Sequence, residues 1–140
     1  MRTEYKHNPP IPYSLHDMRV KKIIMQDQTI VLEFEDGYKK LTEPFEQVEG
    51  NITIEGVDFD FTSVMLQSKW ENYGKFNGEK LELEHFIKRY KNYSFEIVDE
   101  LYGYNQVLYS GYLSILETED LVQMDISIYF TGKIIYDTKE

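Results

Sequence analysis

The sequence has no cysteine and no alanine in its 140 residues. Without cysteine there is no disulfide framework, no thiolate metal ligand and no thiol nucleophile. Without alanine the strongest helix former is missing, while 13 Ile, 8 Val, 12 Tyr and 8 Phe favour strands. No window approaches the roughly 18 apolar residues of a membrane helix. Residues 1–18 lack the apolar stretch of a signal peptide, so the expectation is a cytoplasmic protein. The glycine-rich phosphate loops G-x-G-x-x-G and G-x-x-x-x-G-K-[ST] are absent, as is the G-x-S-x-G nucleophile elbow. The sequence therefore carries no motif for a nucleotide or for any other cofactor, and none is expected.

What is present is acidic. Fifteen Lys and Arg stand against 25 Asp and Glu, a formal charge of −10. Residues 41–68 and 92–132 contain no Lys or Arg at all. If these stretches share a face, its field repels nucleic acid and anionic lipid and steers basic partners.

The pattern predicts one mainly β domain over residues 1–140, or α+β with one short helix. Pro9, Pro10 and Pro12 make residues 1–14 an extended arm. Ile30, Leu32 and Phe34 fall on one face, with Thr29, Val31, Glu33 and Glu35 on the other, between turns at Asp27-Gln28 and Asp36-Gly37, which predicts a three-stranded meander over 19–41. Val57, Phe59 and Phe61 fall on one face of the next strand and Asp58 and Asp60 on the other. Residues 67–80 read as a polar loop. Leu83, Phe86, Ile87 and Tyr90 then follow helical spacing, giving one amphipathic helix near 82–91. Strands around 95–101, 107–115, 124–130 and 134–136 complete about eight or nine. Gly111 leaves a gap on one strand face for a neighbouring aromatic. Such a set makes an antiparallel sandwich or barrel.

Three groups could carry chemistry. Asp58 and Asp60 form a carboxylate pair. His16, Asp17 and Arg19 are the densest reactive cluster, with Asp17 best read as a turn residue. Tyr102, Tyr104, Tyr109 and Tyr112 surround one hairpin, and tyrosine suits interfaces because it joins an apolar body to a polar tip. Leu15-His16-Asp17, followed by Val20 and two alternating strands, resembles the opening of small β-rich bacterial proteins, some thought to be immunity proteins beside secreted toxins. That resemblance implies a bacterial, non-catalytic binding protein and names no site residues.

The function expected is non-enzymatic: a basic protein partner bound by an acidic, Tyr-rich face that includes Asp58, Asp60, Tyr102, Tyr104, Tyr109 and Tyr112. An alternative is a lipocalin-like barrel holding a small apolar or aromatic ligand. A phage or assembly subunit is a further alternative. An enzyme would have to use His16, Asp17 and Arg19, or the aspartate pair.

Overall fold

A computed structural model describes residues 1–6, 11–69 and 77–139, with residues 68 and 69 described by backbone alone. Residues 7–10 of the predicted arm and 70–76 of the predicted polar loop lie outside the described residues.

The first strand, β1 (Tyr13–Ser14), is short. A turn at Leu15-His16-Asp17 leads into β2 (Met18–Gln26), which forms a hairpin with β3 (Thr29–Phe34). Asp27 turns that hairpin with φ of 53°, a left-handed conformation that Asp tolerates. The next strand, β4 (Tyr38–Lys40), departs from the expected meander. It leaves β3 and pairs instead with β1 and with β5 (Gln47–Val48) in a separate three-stranded sheet. Gly37 sends it there: its φ is 71°, and a Cβ at that position would overlap the carbonyl of Val48.

The chain continues through β6 (Gly50–Glu55), a 3-10 turn (Phe59–Phe61), β7 (Ser63–Lys69), β8 (Glu79–Glu82) and α1 (Leu83–Arg89). Three long strands follow, β9 (Tyr93–Gly103), β10 (Gln106–Ile115) and β11 (Asp120–Tyr129), and then β12 (Ile134–Thr138). Nine of these strands form one antiparallel sheet in the order β12-β6-β3-β2-β9-β10-β11-β7-β8. The expectation of a mainly β fold with one short helix therefore holds. The barrel alternative does not, because the edge strands β12 and β8 are not paired with each other.

The sheet has one apolar face and rolls around it. Residues from the whole sheet, among them Val20, Ile30, Ile52, Phe95, Leu113 and Ile126, join a single buried cluster. Each such side chain contributes about 1.5–3 kcal/mol by leaving water. The roll brings strands that are distant in the sheet together. Val57, just past β6, bridges to Phe130, just past β11. The phenol of Tyr136 on β12 lies near enough to that of Tyr102 on β9 to influence its titration. The small sheet covers this region: Tyr13 and Tyr38 pack 5.0 Å and 5.7 Å from the Tyr136 ring. On the far side α1 closes the core with Phe86, whose ring lies 5.4 Å from Tyr93.

One irregularity sets the orientation of later residues. In the β9–β10 pair, Ser110 faces Asp99 but Gly111 faces Ile97, so Val98 is an extra residue. The gap expected at Gly111 is filled by backbone and not by an aromatic ring, since a Cβ there would overlap the Glu96 carbonyl. Among the described residues no helix is long and apolar enough to cross a membrane.

Candidate functional site

Asp58 and Asp60 do not share a strand face. Asp58 caps the 3-10 turn, and its Oδ1 accepts the Asp60 N–H at 3.0 Å. An aspartate at a cap position satisfies an otherwise orphan N–H, so the Asp-x-Asp spacing makes a turn where alternation predicted a strand. The cap is fixed to the sheet on two sides. The Asp58 N–H donates to the Tyr129 carbonyl at 2.9 Å, and the Thr62 hydroxyl donates to the Asp58 carbonyl at 2.8 Å.

The turn also reverses Phe61. Expected inside with Val57 and Phe59, it is 69% exposed, and its ring sits 6.0 Å from that of Tyr129. The β9–β10 hairpin tip joins the same end, because the Phe130 N–H donates to the Asn105 carbonyl at 3.0 Å. Tyr104 stands at that tip, 93% exposed. A groove of about 440 Å³ runs beside the turn, lined by Gln28, Gly56, Val57, Asp58, Phe59, Asp60, Tyr129 and Thr131. Its lining holds two carboxylates and no Lys or Arg. On the other flank of the turn, Lys80 and Glu82 line a second groove with Asp60 and Phe61. Asp58 and Asp60 thus stand together beside Phe61 and Tyr129, which alternation alone did not single out, with Tyr104 on the hairpin tip that joins the same end.

The other three tyrosines are elsewhere. Tyr109 is fully buried, so it cannot touch a partner. It shares the inward parity of Val107 and Leu113 on β10. Tyr102 is half-buried, and its hydroxyl donates to Glu100 Oε1 at 2.7 Å. The extra residue at Val98 turns Glu100 and Tyr102 inward, where three phenols and a carboxylate gather. Burial pushes the phenols of Tyr102, Tyr109 and Tyr136 upward, and the Glu100 charge adds to this. Among the described residues no group meets hydrogen-bond geometry with the Tyr109 hydroxyl, although the Tyr102 hydroxyl is near enough to offset part of its shift. Tyr112 lies on the outer sheet face, opposite Gln123 on β11. Tyr129 pairs with Gln106 six residues further along the two strands, so Tyr112 stands about 20 Å from the acidic end.

The His16 cluster is an anchor. The Leu15 N–H donates to Glu100 Oε2 at 2.9 Å, His16 Nδ1 is 2.6 Å from the Val98 carbonyl oxygen, and the Asp17 N–H donates to the Ile97 carbonyl at 2.8 Å. Three consecutive residues therefore clasp the β9 bulge. Asp17 has the turn conformation expected of it, with φ of 65°. His16 Nε2 lies 3.3 Å from Asp17 Oδ2. The Val98 carbonyl and then the Asp17 charge raise the imidazole above its usual range. Arg19 does not join them; it pairs with Glu96 on the outer face at 3.3 Å.

The carboxylates of the two Lys- and Arg-free stretches do not pool on one face. Asp125 sits on the outer face, accepting from Ser110 at 2.5 Å. Asp120 lies at the β10–β11 turn, beside Thr118, at the far end of those strands from Tyr129. Glu49 faces Lys139. Among the described residues no group of three His, Asp or Glu side chains could hold a metal ion.

The chain matches no family model, no curated protein and no solved structure. The reading of the acidic-aromatic end rests on its geometry.

Proposed function

We propose that this chain is a non-enzymatic binding domain of immunity or inhibitor type that takes a basic segment of a protein partner at the acidic-aromatic end. One observation carries this reading: Phe61 stands exposed beside Asp58 and Asp60, Tyr104 is exposed on the hairpin tip that joins the same end, and no Lys or Arg lines the groove between the turn and Tyr129. Exposed aromatic side chains are the groups that anchor protein interfaces. A Lys or Arg laid over such a ring gains a cation–π attraction and reaches an adjacent carboxylate in the same step.

The rest of the fold supports a fixed surface. Asp58 is held by the Asp60 N–H, and the turn by Tyr129 and Thr62, so little ordering is left for the moment of binding. The reading narrows the acidic, Tyr-rich face to Asp58, Asp60, Phe61, Tyr104 and Tyr129.

Affinity capture from a native bacterial extract at low and at high salt tests it. The expected result is a partner rich in exposed Lys and Arg, retained at low salt and released at high salt. Capture that is indifferent to salt contradicts the charge part of the reading, and no partner under either condition contradicts the whole.

A further inference from the structure

The outer face of the sheet has a hollow that the acidic end does not use. Strand register explains it. Arg19, Glu96, Tyr112 and Gln123 lie side by side across β2, β9, β10 and β11. In the next row along, two serines face each other, Ser94 and Ser114, with Leu121 beside Ser114. Short side chains next to long ones leave a depression of about 410 Å³, lined by Arg19, Ser94, Glu96, Tyr112, Ser114 and Leu121. That volume lies within the range of small-molecule sites.

The chemistry of the lining is specific. Arg19 Nη2 and Glu96 Oε2 are 3.3 Å apart, so the site holds one cation and one anion that compensate each other. A charged ligand would have to break that pair. A neutral hydroxyl would not: on the open side of the pair it can accept from another guanidinium N–H or donate to a carboxylate oxygen while the pair stays formed. Ser94 Oγ is buried and, among the described residues, has no hydrogen-bond partner. Ser94 lines the hollow, so its hydroxyl is a polar group there whose hydrogen-bonding capacity is unused. The half-buried Tyr112 ring and the exposed Leu121 supply an apolar wall beside these polar groups.

We propose that this hollow binds a small neutral polyol, a mono- or disaccharide whose hydroxyls bridge Arg19 and Glu96 while its C–H face lies against Tyr112. The hollow and the acidic end are independent sites.

Titration of the 15N-labelled chain with glucose, galactose and N-acetylglucosamine, followed by amide shifts, tests the site. Glucosamine, glucuronate and glycine serve as cationic, anionic and zwitterionic probes. The expected result is saturable shifts at Ser94, Glu96, Tyr112 and Leu121 with at least one neutral sugar, and weaker effects from the charged probes. Tyr112→Ala and Glu96→Gln should each weaken that binding about tenfold, the loss of one ring contact or one charge-assisted hydrogen bond. Neither side chain belongs to the buried core, so the fold should survive both changes with only a small drop in thermal midpoint, and Asp58→Asn with Asp60→Asn should leave the titration unchanged. Absence of saturable shifts with all three neutral sugars overturns the proposal. So does tighter binding of a charged probe, or a Tyr112→Ala variant that binds as the parent does.

Discussion

His16 Nδ1 lies 2.6 Å from the carbonyl oxygen of Val98, 82 residues away in the chain. A carbonyl only accepts, so this nitrogen carries a proton. The other ring nitrogen faces the Asp17 carboxylate, which favours a proton there as well. The ring is thus held best as an imidazolium, and it ties the turn before β2 to the bulge in β9.

This contact makes stability depend on pH in a defined direction. The folded-state value of His16 is raised above 6.5. Its contribution is therefore fully present below 6.5 and is lost as pH rises through the raised value. NMR titration should place the His16 midpoint above 6.5. Thermal midpoints of the parent and of His16→Gln should differ most at acidic pH and converge as the medium becomes alkaline. A gap that widens with pH would contradict the assignment.

The inward phenols titrate against their surroundings. Burial raises Tyr102, Tyr109 and Tyr136 above 10, so the unfolded chain loses these protons first. Stability should fall as pH climbs past 10, with phenolate absorbance from these residues appearing only on unfolding. Tyr109→Phe removes a buried hydroxyl that has no hydrogen-bond partner among the described residues and should be neutral or stabilising by up to about 1 kcal/mol. Tyr102→Phe removes the donor to Glu100 and should cost about 1–2 kcal/mol by urea titration.

At the bulge, Gly111→Ala places a methyl group on the Glu96 carbonyl. Backbone must move to admit it, so a loss of about 2 kcal/mol or more is expected in chemical denaturation. A neutral result would mean that the β9–β10 register is not the one described.

The cap separates two roles of one aspartate. Asp58→Asn keeps an acceptor for the Asp60 N–H and should leave the melting temperature nearly unchanged. Asp58→Ala should cost roughly 1 kcal/mol. Only the Asn variant therefore tests charge without testing the turn.

Much of this fold was legible in the sequence, because period-two patterning is a direct consequence of burying one sheet face. The β2–β3 hairpin, β9 to β12 and the helix all follow from it. The departures have local causes. Gly37 redirects Tyr38–Lys40 into another sheet through a backbone approach that no pattern encodes. Val98 reverses the parity of β9, so Glu96 faces out while Glu100 and Tyr102 face in. Asp58 converts an expected strand into a 3-10 turn and throws Phe61 outward. Of the candidate tyrosines, Tyr109 carried its own correction, since it alternates with Val107 and Leu113. The Arg19–Glu96–Tyr112 row depends on which strands become neighbours, and a single chain does not spell that out.

The most direct test of the proposed role is parallel capture by three forms of the chain: the parent, Asp58→Asn with Asp60→Asn, and Phe61→Ser with Tyr104→Ser. All three should melt alike, since the aspartate pair keeps its cap and both aromatic side chains are exposed. The account predicts that the parent retains a basic partner at low salt and that both variants lose most of it. Equal retention by all three forms would place the binding surface elsewhere and contradict the account.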